Sequence, residues 1–112
     1  MYYIRQIDTT PVIVQLIIPK IGVIKGVPKF VLELRHTATH KTYTFTTTTA
    51  GHNANDFFCV TTFDEIPNLG QYDLIMKFTT GEIYYTTMLE IVPQQHPIPQ
   101  NNRITTYTQY NG

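Results

Sequence analysis

The chain contains no serine and no tryptophan, it has one cysteine, and only 14% of its 112 residues are charged. Without serine, a Ser-His-Asp mechanism is excluded outright. Cys59 alone permits no internal disulfide, which fits folding in a reducing compartment and leaves stability to the core. Lys and Arg number eight, matching eight Asp and Glu. The chain therefore lacks the basic excess that neutralises phosphates, and nucleic acid is not an expected partner. The apolar run VIVQLII is interrupted by Gln15 and falls far short of the ~20 residues needed to cross a bilayer, so no membrane span is expected. The opening MYYIRQIDTTPVIV has no basic segment followed by an apolar one and a small-residue cleavage site. Synthesis and folding in a cytoplasm are expected.

Helical periodicity is also missing. No window shows the i, i+3, i+4, i+7 spacing of apolar residues, whereas alternation at every second residue recurs along the chain, which predicts an all-β fold. Threonine occurs in doublets and runs, as in TFTTTT and FTT. Its branched Cβ suits a pleated strand and its hydroxyl suits water, so threonine marks the solvated face of a sheet.

Seven strands are expected. The first runs near Tyr2 to Ile7, and Pro11 opens the second, VIVQLII, which Pro19 closes. After the glycine- and proline-bearing connection IGVIKGVP, Phe30, Leu32 and Leu34 face inward and Glu33 and Arg35 outward. HTATHK is a turn. Tyr43 and Phe45 then alternate inward against threonines, in a strand expected at the edge of the sheet, and AGHNAN is a loop. FFCVTTF is the fifth strand. Tyr72, Leu74, Met76 and Phe78 form the inward set of the sixth, with Asp73, Ile75 and Lys77 outside. Thr79-Thr80-Gly81 turns into the seventh strand, where Ile83, Tyr85, Leu89 and Ile91 share a face with Thr87.

Such a set of strands fits an immunoglobulin-like antiparallel β-sandwich. In these sandwiches a tyrosine near the start of the sixth strand turns its hydroxyl back to a backbone group a few residues upstream. LGQY matches that corner: Gly70 permits the sharp entry, Tyr72 is the pin, Leu74 takes the inward place of a disulfide cysteine, and Gly81 supplies the reversal into the last strand. The alternative is a plain hairpin with a buried tyrosine.

The composition shifts at Pro93. Residues 1–92 are expected to form the sandwich and residues 93–112 a proline-rich linker and extended arm. In RITTYTQYNG, Ile104, Thr106 and Thr108 alternate with Thr105, Tyr107 and Gln109, a strand-like pattern beyond a completed domain. The arm is expected to add a strand to, or lie along, a neighbouring subunit, with Ile104, Tyr107 and Tyr110 as the binding residues; a frayed terminus is the alternative.

Candidate chemistry is sparse. Cys59 sits between Phe58 and Val60 in a strand, where a thiol acts as a small hydrophobe. His36 and His40 have i, i+4 spacing, but in a turn rather than a helix, and His52 and His96 lie in separate loops. Asp64 and Glu65 are adjacent, so on an extended chain they point apart. Gly22 and Gly26 match no phosphate loop. No catalytic residue, metal site or cofactor is expected.

The segments PVIVQLIIPK, PKFVLELRH with KTYTFT, NDFFCVTTF, GQYDLIMKF with EIYYTTMLEIV, and the tyrosine-containing ending ITTYTQYNG together resemble a family of small immunoglobulin-like virion proteins. The family belongs to tailed bacteriophages of gut Bacteroidetes, the crAss-like phages among them. The resemblance covers most of the chain and implies a non-enzymatic structural protein of the virion, made in the host cytoplasm and assembled in multiple copies. The implied role is an auxiliary capsid protein, decorating or cementing, that docks on other virion proteins through a sandwich face and the arm. A tail, neck or baseplate component is the alternative within the particle. A carbohydrate-binding module using Tyr84, Tyr107 and Tyr110 as exposed aromatics is the alternative outside it.

Overall fold

A computed structural model describes residues 2–6, 11–22, 26–65 and 68–108. Eight strands follow in chain order: β1 (Tyr2–Arg5), β2 (Val12–Pro19), β3 (Phe30–His36), β4 (Thr42–His52), β5 (Asp56–Phe63), β6 (Gly70–Phe78), β7 (Ile83–Val92) and β8 (Ile104–Thr108). The fold is all-β, with no helix among the described residues. The hydrogen-bonded order is β1-β7-β6-β3-β4-β5-β2-β8, one ladder folded over on itself into two layers.

The fold-over happens in β4. Its first half, Thr42 to Thr47, pairs with β3, and its second half, from Thr47 to His52, pairs with β5, with a register shift between Thr49 and Gly51. Bulges of this kind bend a strand and raise its twist. Thr47 sits at the pivot, buried, and its hydroxyl meets that of Thr61 at 2.7 Å, so two polar groups are satisfied in the crease. β4 is therefore an interior strand, not the sheet edge expected near Tyr43. It also runs on through Ala50 and Gly51, which sequence composition assigns to a loop. The turn itself is shorter: Asn53 Oδ1 accepts from the backbone N–H groups of Asn55 and Asp56, both at 2.8 Å.

Between the layers, alternation places Phe30, Leu32 and Leu34 of β3 against Val14, Leu16 and Ile18 of β2, with Phe57 and Phe63 of β5 and Tyr72, Leu74 and Met76 of β6. Ring contacts knit the ends: Phe45 stacks on Phe63 at 4.2 Å between centroids, and Phe30 on Phe78 at 5.6 Å. The neighbour relations β3-β6-β7 in one layer and β5-β2 in the other are those of strands C-F-G and E-B in immunoglobulin sandwiches.

Three further expectations need correction. The ladder is not wholly antiparallel, because β1 runs parallel to β7, from Tyr2 opposite Leu89 to Arg5 opposite Val92. Ile83 does not join the inward face of β7 but is 61% exposed. The register shifts by one residue between Met76 and Lys77, so Met76 faces Tyr85 while Lys77 faces Ile83. The extra residue, Tyr84, is carried in against Phe30 and Phe78.

The third correction concerns the arm. Beyond the change of composition at Pro93 there is an eighth strand, and it belongs to the body: Ile104 to Thr108 pairs antiparallel with Leu16 to Val12. The reason is local. Without β8, β2 would present a row of unpaired N–H and C=O groups at a sheet edge, and the alternation that reads as an arm places Ile104, 6% exposed, in the core. Residues 93–103 carry no strand and connect β7 to β8 across the seam where β1 and β8 approach.

Asn102 closes that seam. Its Oδ1 accepts from the Tyr3 N–H at 2.9 Å, and its Nδ2 donates to the Tyr3 carbonyl at 2.8 Å and to the Ile104 carbonyl at 3.0 Å. One side-chain amide thus stands in for the peptide group of a missing strand.

Candidate functional site

Two places concentrate the residues singled out by sequence, and a third emerges only from the tertiary structure.

The first is the entry to β6. The Tyr72 hydroxyl donates to the Asn68 carbonyl at 2.8 Å, four residues upstream, and its ring is fully buried. Gly70 enters β6 at φ +126°, a backbone conformation nearly closed to other residues. Leu74 is fully buried two residues on. Gly81, at φ +99°, makes the reversal: its N–H donates to the Phe78 carbonyl at 2.9 Å, and Phe78 N–H to the Glu82 carbonyl at 2.9 Å.

Sequence reading missed the fifth member, His36. Its ring lies edge-on to Tyr72, 4.8 Å between centroids. Thr39 N–H donates to Nδ1 at 3.1 Å, which assigns the proton to Nε2, and Nε2 then donates to the Leu69 carbonyl at 3.1 Å. The histidine ties the β3–β4 turn to the start of β6. Its inward position follows from the same alternation that buries Leu32 and Leu34, a signal legible in sequence but eclipsed by the His36/His40 spacing.

The two histidines do not converge. His40 Nδ1 faces the Arg35 guanidinium at 3.1 Å, and no group of three His, Cys, Asp or Glu among the described residues stands ready to hold a metal ion. Cys59 is buried on the inner side of β5, and burial pushes its thiol up to about 11, so it is held protonated at neutral pH.

The second place is the set of arm and aromatic residues. Ile104 is in the core. The Tyr107 backbone, in β8, pairs with Ile13 of β2, while the Tyr107 side chain and Tyr110 lie outside the described residues. Tyr84, expected among exposed aromatics, is an internal latch. Its hydroxyl donates to the Pro19 carbonyl at 2.7 Å and accepts from the Ile21 N–H at 2.8 Å, holding the end of β2.

The third place is the outer surface of the β4–β5–β2–β8 layer. Ladder register sets Gln15 between Val60 and Thr105, and Phe58 between Ile17 and Gly51. Phe58 is 37% exposed, and its ring leans over Gly51, its Cδ2 3.6 Å from where a Cβ would stand. A shallow hollow of about 240 Å³ is bounded by Phe58, Ile17, Gln15 and Arg103. A second, of about 390 Å³, lies beyond Val60 among Thr44, Thr46, Thr48 and Thr62. Val60 is common to both, so the two form one continuous surface.

Among the described residues, charge is confined to the ends of this surface, in the ion pair of Arg103 with Asp56 and in Asp64. The outer surface of the opposite layer differs. There Lys77 pairs with Glu33 at 2.9 Å, and Arg35 stands opposite Asp73. One layer thus wears charges of both signs beside the exposed Met88 and Ile83 of β7, and the other wears, between its ends, threonine, valine, isoleucine and an exposed phenylalanine. Binding surfaces are depleted of charge at their centres and enriched in aromatics.

No protein-family model, curated protein or solved structure matches this chain.

Proposed function

We propose that this protein is a non-enzymatic structural component of a bacteriophage particle. It docks on a neighbouring virion protein through the outer surface of the β4–β5–β2–β8 layer, and it serves as an auxiliary capsid protein. The resemblance of its strand segments to small virion proteins supplies the class. The observation that carries the docking surface is the exposed Phe58 ring on a layer whose charges, among the described residues, lie at its ends.

A flat, uncharged patch on a small domain suits a role in which each contact is weak and copy number multiplies the effect. Desolvating threonine and aliphatic side chains costs far less than desolvating the Lys77, Glu33 and Arg35 surface on the other side. In this form of the molecule β8 completes its own sheet, so the docking role falls to the layer and not to a projecting arm. A tail, neck or baseplate location uses the same surface.

The test is co-sedimentation with purified particles. Wild-type protein is expected to sediment with them, and Phe58→Asp to remain in the supernatant while melting within a few degrees of wild type. Full occupancy of the particle by Phe58→Asp, or no sedimentation by wild type, would overturn the reading.

A further inference from the structure

We infer that the protein pairs with a second copy of itself through the outer surface of the β3–β6–β7 layer, the two faces turned about a two-fold axis that lies between them and crosses the strands.

Ladder register arranges this surface in rows. At one end Val31 lies beside Lys77, and Lys77 beside Ile83; at the other Arg35 lies beside Asp73, and Asp73 beside Met88. The middle row is Glu33, Ile75 and Thr86. None of these residues is buried. On β3 and β6 each row is two residues from the next, about 6.8 Å along the strand. On β7 the extra residue of the bulge, Tyr84, keeps Ile83 in step with Lys77.

The two end rows complement each other. Rotation about the middle row lays each strand antiparallel over its own counterpart, so one end row covers the other. Lys77 then meets Asp73 of the second copy, Ile83 meets Met88, and the aliphatic stem of Arg35 covers Val31, each contact being made twice. Ile75 and Thr86 lie at the axis and meet their own counterparts. Glu33 does so too, but it keeps its 2.9 Å ion pair with Lys77 of its own chain, and Arg35 of the second copy stands one row away, within the length of its side chain.

The charges select the occupant. Ile83 is 61% exposed and Met88 38%, yet both stand in rows with charged groups, and a partner that covered them without opposite charges would strip Lys77 and Asp73 of water for no return. The rotated copy supplies those opposite charges. Faces stacked with their strands parallel would set Lys77 on Lys77 and Asp73 on Asp73, so the charges fix the direction as well. A patch three strands wide is small beside the ~800 Å² per partner of a stable complex, so the dimer depends on concentration and weakens with salt. The Phe58 surface lies on the opposite layer and stays open on both copies, so pairing and docking stand independently.

The experiment is sedimentation velocity of the full-length chain over a concentration series at low and high salt. Wild type is expected to pass from monomer to dimer, at higher concentration when salt is raised, and Phe58→Asp to behave identically. Lys77→Asp alone and Asp73→Lys alone each set like charges together twice, and each is expected to raise the dimer dissociation constant by about tenfold or more. An equimolar mixture of the two sets unlike charges together at both contacts and is expected to restore the dimer, as a mixed species by native mass spectrometry. A folding defect cannot be rescued by mixing. Thr86→Cys places a thiol at the axis and is expected to give a disulfide-linked dimer on mild oxidation. Ile83→Cys, whose copies lie two rows apart, and wild type, with only the buried Cys59, are expected to give none. Wild type that stays monomeric throughout, a dimer unaffected by either charge variant or lost in Phe58→Asp, or a mixture no better than its components would overturn the inference. Where a charge variant fails to fold, the Thr86→Cys disulfide decides: its formation supports the pairing and its absence overturns it.

Discussion

The ring of His36 occupies the space that a side chain at residue 70 would need: a Cβ on Gly70 would lie 2.9 Å from His36 Nε2. That nitrogen is already committed to the Leu69 carbonyl, so the ring cannot withdraw without leaving the carbonyl unpaired. Gly70→Ala also meets the positive φ, a strain that alone costs about 1–3 kcal/mol. The expected result is a clear fall in the urea midpoint, smaller when His36→Ala is present as well. Fully additive losses in the double variant would show that the two residues do not collide.

Tyr72→Phe removes the donor to Asn68 and leaves that carbonyl without its partner. A loss of about 1–2 kcal/mol is expected from denaturant unfolding. An unchanged midpoint would remove the hydroxyl from the account of this corner.

The same hydroxyl makes stability fall in alkali. Burial first, then the neighbouring Tyr43, pushes the Tyr72 phenol up to about 12 from its ordinary 10, against the hydrogen bond to Asn68. A group whose proton is held more tightly in the folded state contributes its full stability below the unfolded value and loses it as pH climbs toward the folded one. Stability should therefore decline between about pH 10 and about pH 12, by an order of 2–3 kcal/mol from Tyr72. Tyr2 and Tyr84, also raised by burial, add to the decline. Urea midpoints across this range should fall less steeply for Tyr72→Phe than for wild type; parallel curves would contradict the assignment.

Cys59 should resist thiol reagents in the native protein at neutral pH, because it is both buried and held as a thiol. Labelling is expected to follow global unfolding, with rates that rise in step with added denaturant. Prompt modification of the folded protein would show that β5 opens locally.

Truncation after Val92 should destabilise the protein. It removes Ile104 from the core, worth about 1.5–3 kcal/mol for a fully buried aliphatic side chain, and strips the partner from β2. A lower melting temperature and a tendency to aggregate through the bared edge are expected. Melting identical to the full chain would show that residues 93–112 hang free in solution.

Alternation at every second residue was enough to determine the all-β class, the positions of the first seven strands and the inward faces of β3 and β6, because side-chain direction in a strand is fixed by chain parity alone. It also placed Gly70 and Tyr72 at a corner, since few residues accept positive φ and few carry a hydroxyl on a long apolar body. What parity cannot state is which strand lies beside which. The fold-over at Thr47, the parallel seat of β1 on β7, the return of β8 to β2 and the Asn102 clasp depend on contacts between residues tens of positions apart. The bulge that turns Tyr84 inward and Ile83 outward likewise exists only once β6 and β7 are paired. The surface around Phe58 is of the same kind: β2, β4 and β5 each contribute two or three ordinary residues and β8 adds Thr105, and only their adjacency makes a surface of them.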